Sequence, residues 1–328
     1  MGYGTAGTAG TAKVQQSIVA EACAKVILFG EHGVVYGTEG IAAPVRSLKT
    51  RIMIEPGQGL QVFFDGAPDS SADERHERPG QQEKDRSIIV ELVLFAARKL
   101  RIDALDARVH VSSTIPFSAG LGSSASLSVA ILRALAAFGG KDISDDMMDA
   151  LAFSCESRFH AKPSGIDNTV IVREQVISFQ DKASVPLSLG KPLTLLIADS
   201  GIRADTKAVQ KTLSRQYRQH SAEMEGIFKV MDEVVQNAKV ALVAGDLKEV
   251  GSLMNQNHGL LQDLGVSSEP LDTLVKIARE EGASGAKLSG AGKGGIIIAS
   301  VPDDAQQSDR IKGALEKQGA KVHRVVIA

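Results

Sequence analysis

At 328 residues, with 43% hydrophobic and 23% charged side chains, the chain has a globular composition and the length of two domains. A formal net charge of -2 excludes binding to nucleic acid or a membrane surface by bulk charge. No apolar run reaches the roughly 18 residues that span a bilayer, and the two cysteines, Cys23 and Cys155, read as reduced buried thiols rather than a metal site or disulfide framework.

Residues 1–16 read as a flexible tail. They lack the apolar centre of a secretory leader, and Ala6 stands where myristoylation needs Ser or Thr. β-branched residues then mark strands over 17–28, 46–55 and 59–64. The first runs into AKVILFGEHGVVYG, where Lys25, Glu31 and His32 bracket an apolar run. Taken singly, such a lysine is solvated and such a histidine structural. Residues 65–86 are polar and turn-rich and read as a long exposed loop. A helix is expected over 87–100 and an alternating strand over 106–113.

Next comes PFSAGLGSSAS, Pro116 to Ser126, at the mouth of an apolar helix. Small residues let the backbone approach an anion, and the first N–H groups of the helix point at it. The expected phosphate loop is therefore Pro116, Ser118, Ala119, Gly120, Leu121, Gly122, Ser123, Ser124, Ala125 and Ser126. Hydroxyls at Ser123, Ser124 and Ser126 add donors, and one of them can ligate Mg²⁺. The loop is not a Walker A sequence, because no GK[ST] follows. Ser144 is an N-cap candidate, and Met147, Leu151, Cys155 and Phe159 form the expected buried stripe of the next helix. Glu156 borders that stripe, and Asp167 follows a Pro-Ser-Gly turn. Two such carboxylates can divide the labour, one holding Mg²⁺ and one accepting a proton from a hydroxyl. Past residue 190, taken as the domain boundary, a strand PLTLLIADS leads into helical patterns over 207–244, 247–264 and 269–281. The chain closes with KLSGAGKGG as a second glycine-rich turn between strands, a helical segment, and the strand KVHRVVIA.

The order GEHGVVYG, AGLGSSAS, PSGIDN, KLSGAGKGG resembles the GHMP small-molecule kinase superfamily, from end to end apart from the tail and the 65–86 loop. The resemblance implies an α+β fold, with a ribosomal-protein-S5-like domain over 17–190 and a ferredoxin-like domain over 191–328. It implies ATP and Mg²⁺ as cofactors, in a cytoplasmic protein that forms a homodimer. The implied reaction is phosphorylation of the primary C5 hydroxyl of mevalonate. Phosphomevalonate or a sugar such as galactose is the alternative acceptor, and a non-catalytic ligand-binding regulator the alternative role. By position the resemblance makes Asp167 the catalytic base and Lys25 the catalytic lysine. Ser124 and Glu156 become the Mg²⁺ ligands, and Gly290 and Gly292 join the nucleotide site. Glu31, His32, Ser164 and Thr206 become the substrate contacts. Ser118 and Lys293 stand where the family often has glycine, and neither change removes a catalytic group.

Overall fold

The computed structural model describes residues 17–64, 81–102, 105–158, 163–203 and 205–328. The expected tail, most of the expected 65–86 loop, and Phe159 lie outside them. The chain folds around two sheets. In the first, β1 (Ile18–Phe29) pairs antiparallel with the long β2 (Gly40–Pro56). β2 also pairs with β4 (Ala107–Ser113) and, at its start, with β5 (Ile177–Gln180). β3 (Gln61–Phe64) lies parallel to β4, and β6 (Ala183–Pro186) closes a hairpin with β5. Alternation along β2 sends Ile52 and Ile54 inward and leaves Arg51 exposed.

Three helices pack on that inward face, α1 (Gln81–Lys99), α2 (Ser123–Phe138) and α4 (Ile166–Arg173), and α3 (Asp145–Glu156) packs against all three. α2 is apolar round most of its circumference and is the central helix of the layer.

The second sheet has the order β10-β7-β9-β8, every pair antiparallel. Its strands are β7 (Leu193–Asp199), β8 (Gly285–Ser289), β9 (Ile296–Ser300) and β10 (Lys321–Ile327). The helices around it are α5 (Thr206–Gln219), α6 (Ser221–Ala244), α7 (Leu247–Asp263), α8 (Glu269–Glu280) and α9 (Ala305–Glu316). β7 is buried on both faces. Leu196 and Ala198 join a core with α8 and α9, while Leu193, Leu195 and Ile197 join one that includes Val26, Leu28 and Val45 of the first sheet. The two lobes therefore share a continuous apolar interior. Among the described residues no helix is long and apolar enough to cross a membrane.

Several sequence expectations change. The helix expected to begin at residue 87 begins at Gln81, so the polar stretch QQEKDR is helical. The helical pattern over 207–244 is two helices, because His220 (φ -136°, ψ 49°) leaves the helical region. The stripe of α3 runs through Met148, Leu151, Ala152 and Cys155, and Met147 is 56% exposed. A strict four-residue spacing overshoots the 3.6-residue turn and drifts off the buried face. Ser144 caps α3, its side chain accepting from the Met147 N–H.

Candidate active site

The starts of α2 and α4, the end of α3 and the middle of β1 meet around a cluster of polar groups. The loop from Pro116 to Gly122 joins β4 to α2 and turns through left-handed backbone at Ser118, Gly120 and Gly122. Gly122 is the N-cap of α2 and offers no side-chain cap. The first N–H bonded back to the cap is that of Ser126, which donates to the Gly122 carbonyl at 2.8 Å. The N–H groups of Ser123, Ser124 and Ala125 precede it, at the positive end of the helix dipole. No side chain intrudes on this cradle from Gly120. A Cβ there would lie 3.2 Å from the Ser289 carbonyl oxygen and 3.8 Å from Gly290 Cα, so the two glycine-rich turns touch through their backbones.

Lys25 enters from β1. Its N–H donates to the Leu121 carbonyl at 3.0 Å, and a Cβ on Gly122 would press on its stem. Its Nζ reaches Asp167 Oδ1 at 3.0 Å, with side-chain exposures of 4% for the lysine and 35% for the aspartate. Asp167 lies in the first turn of α4, two residues past the N-cap Gly165. Across from it, Ser124 Oγ donates to Glu156 Oε1 at 2.8 Å. A hydroxyl and a carboxylate side by side are the hard oxygen donors that Mg²⁺ takes when phosphate oxygens complete its shell. Glu156 is buried rather than at the border of its helix face.

Other expected residues serve differently. Ser126 Oγ is buried and donates to the Ala22 carbonyl at 2.9 Å, so its hydroxyl fastens α2 to β1 and does not face the loop. Glu31 is closed off from the cleft. Its side chain is 1% exposed and ion-paired with Lys287, itself 0% exposed. Burial pushes the Glu31 carboxyl up and the Lys287 ammonium down, and each opposes the shift of the other. His32 has φ 62° and holds Ala291 O at 3.0 Å through Nε2. Its enclosed position pushes the imidazole down to about 4 against the pull of that carbonyl, so the ring is neutral at pH 7. Gly292 packs against the Val266 carbonyl, and the Lys293 N–H donates to the same oxygen at 2.8 Å. Lys293 Nζ donates to Ser267 O at 2.8 Å, which makes it a turn fastener.

Ser164 is half-buried beside Gly165. Thr206 opens α5 behind its N-cap Asp205. The segment leading to it rests on the second glycine turn, where the Gly295 N–H donates to Ile202 O at 2.8 Å and the Ser200 N–H to Gly295 O at 2.9 Å. Sequence reasoning left two polar partners unassigned: Lys287, inside a quoted motif, and Asn257, whose Oδ1 accepts from the Gly30 N–H at 3.3 Å. A lysine in an otherwise apolar strand was the available signal for the first, and α7 gives none for the second.

Residues 87–173 match the family described as GHMP kinases N terminal domain, and residues 238–321 that described as GHMP kinases C terminal. The mevalonate kinase of Thermococcus gammatolerans is 31% identical over 345 aligned positions, covering 94% of this chain and 99% of that one. Among solved structures, L. major mevalonate kinase in complex with R-mevalonate superposes with a TM-score of 0.83 at 31% identity, over 96% of this chain and 97% of that one. The Methanococcus jannaschii mevalonate kinase gives a TM-score of 0.80 at 26% identity, over 95% and 99%. On the fold, the ordered motifs and these full-length similarities, this chain belongs to the GHMP kinase family, together with these mevalonate kinases.

Proposed function

We propose that the protein transfers the γ-phosphoryl group of ATP to the C5 hydroxyl of mevalonate, giving 5-phosphomevalonate. The observation that carries this reading is the Lys25–Asp167 pair, set at the mouth of a phosphate cradle with Ser124 and Glu156 alongside. The relatives named mevalonate kinase supply the acceptor.

The roles follow from the chemistry of each group. The backbone N–H groups at the start of α2 bind the nucleotide phosphates. Lys25 stabilises negative charge on the attacking oxygen and on the transferred phosphoryl group. Asp167 accepts the hydroxyl proton as the oxygen–phosphorus bond forms and the bond to the β-phosphate oxygen breaks. A loose transition state asks little of a base, so orienting the hydroxyl is as much the task of Asp167 as taking its proton. Ser124 and Glu156 would hold Mg²⁺, which when bound neutralises phosphate charge. His32, neutral with its one N–H committed to the Ala291 carbonyl and Nδ1 left as an acceptor, lies with Ser164 and Thr206 on the acceptor side of the proposal. A homodimer and a cytoplasmic location complete it and rest on the family resemblance alone; sedimentation and fractionation test them.

The functional test is coupled ADP release with Mg-ATP and a panel of mevalonate, phosphomevalonate and galactose. Turnover with mevalonate alone is expected. Turnover with another member of the panel would replace the acceptor and keep the kinase.

A further inference from the structure

Lys287 and Glu31 come from opposite lobes, 256 residues apart, and meet where solvent does not reach. Lys287 Nζ also donates to the Leu288 carbonyl at 2.8 Å, which fixes the ammonium from two sides. Glu31 Oε2 has no hydrogen-bond donor among the described residues. What favours charge on the carboxylate is first Lys287, through its field and its hydrogen bond, then the backbone N–H of Glu31 itself, and last the field of Lys25. Lys25 in turn pairs with Asp167. Charges therefore alternate from the buried junction to the cleft: Lys287 positive, Glu31 negative, Lys25 positive, Asp167 negative.

The turn that carries Glu31 is closed by its own backbone, the Gly33 N–H donating to Glu31 O at 2.7 Å and the Val35 N–H to His32 O at 3.0 Å, and is braced from the other lobe. Gly30 and His32 on either side both have positive φ, of 86° and 62°. The C-terminal lobe supplies the partners: Asn257 for the Gly30 N–H and Ala291 O for His32. Two residues beyond Lys287, Ser289 Oγ accepts from the Ile27 N–H at 3.1 Å and donates to Ile27 O at 2.9 Å, so β8 is clamped beside Lys25's own strand. A buried ion pair adds little net stability over apolar residues of the same size. Its contribution here is placement.

We propose that Lys287 is a positioning residue for phosphoryl transfer, acting through Glu31 to fix Lys25 and the His32 turn at the floor of the cleft. This rests on the kinase reading above. Without Lys287, Glu31 becomes a buried carboxylate that has lost its ion-pair partner. It then takes up a proton or pulls Lys25 away from Asp167, and either event displaces the lysine from the reacting oxygen.

The test is a double-mutant cycle on the full chain with Mg-ATP and mevalonate, comparing wild type, Lys287→Met, Glu31→Gln and the double variant. Melting temperature and both KM values are measured alongside kcat. Each single variant is expected to lose about 100-fold in kcat, as misplacement of a reacting group by an ångström does, with the KM for ATP nearly unchanged. The double variant should be no slower than the slower single, because the pair acts as one unit. Should Lys287→Met fail to fold, the isosteric Glu31→Gln carries the same test. A kcat within about threefold of wild type in folded Glu31→Gln, well short of the expected loss, would overturn the proposal, as would losses that multiply in the double variant. A wild type inert towards mevalonate would instead overturn the acceptor reading, and the cycle would then be run on its slow hydrolysis of Mg-ATP.

Discussion

Lys25 carries two connections at once: its backbone holds the phosphate loop at Leu121 and its ammonium holds Asp167. Replacing Asp167 by Asn keeps the shape and removes the proton acceptor. The expected loss in kcat is about 10²–10⁴-fold, with the KM for ATP little changed, as steady-state kinetics would read it. Gly122→Ala strikes the same pair from below. The new Cβ would stand 2.9 Å from Lys25 Cγ on a backbone with φ 72°. Holding Ala there costs about 1–3 kcal/mol, or else the lysine moves. Tm and kcat measured together should both fall; an unchanged kcat would show that the stem of Lys25 is not confined as described. The histidines give a pH dependence. Burial pushes both His32 and His258 down to about 4. His258 accepts the Leu288 N–H at Nδ1, so its proton sits on Nε2 facing Asp272. Each ring is neutral in the folded state and titrates near 6.5 when unfolded. Between those values the unfolded chain binds protons that the folded chain refuses, so stability is full above about pH 6.5 and falls as pH drops towards 4. A melting temperature that stays level from pH 6.5 to pH 5 would contradict this.

α4 has eight residues, too few to hold a helix or a direction alone. Its neighbours hold it. Thr169 Oγ1 donates to Asp149 of α3, at 2.9 and 3.1 Å to the two carboxylate oxygens. Arg133 of α2 donates to Val172 O at 3.1 Å, to Glu174 Oε1 at 2.9 Å and to Glu21 O at 2.8 Å. The helices that carry Ser124 and Glu156 thus also aim Asp167. Arg133→Met is expected to cost about 1–3 kcal/mol and to lower kcat through Asp167 while leaving nucleotide binding intact; thermal melts and nucleotide titration separate the two effects. α4 also shows where sequence stops being legible. Its run IDNTVIVR is rich in β-branched residues and follows a glycine turn, so nothing local marks a helix. The first half of β2, GIAAPV, hides behind small residues and Pro44 in the same way. Strands and helices with a clean period were readable, as were the glycine loops, because their signals are local. The structural partners of Ser126 and Glu31, 104 and 256 residues away, leave no mark on the neighbouring sequence.

The whole molecule is one body only if the lobes keep their relative placement, since Lys25, Asp167 and the second glycine turn come from both. Apart from the shared apolar core, a clasp at Glu39 joins them. Its carboxylate accepts from Lys239 at 2.8 and 2.9 Å, from Gln236 at 2.5 Å and from Ser178, while Asp232 accepts its N–H at 3.0 Å. Tyr36 adds a stack on Phe228 with ring centroids 4.6 Å apart. Glu39→Ala strips a buried acceptor from three donors; with Lys239 about a third exposed, the cost belongs at the low end of a broken buried pair, about 3 kcal/mol. Calorimetry should show a lower Tm and still a single transition; two separated transitions in the wild type would refute the shared interior. The measurement that bears most directly on the whole account is coupled ADP release with Mg-ATP and mevalonate, on wild type and Asp167→Asn side by side. Turnover in the wild type and its near-complete loss in the variant is the predicted result. Equal turnover in both would remove Asp167, and with it the Lys25 pair, from the centre of the chemistry.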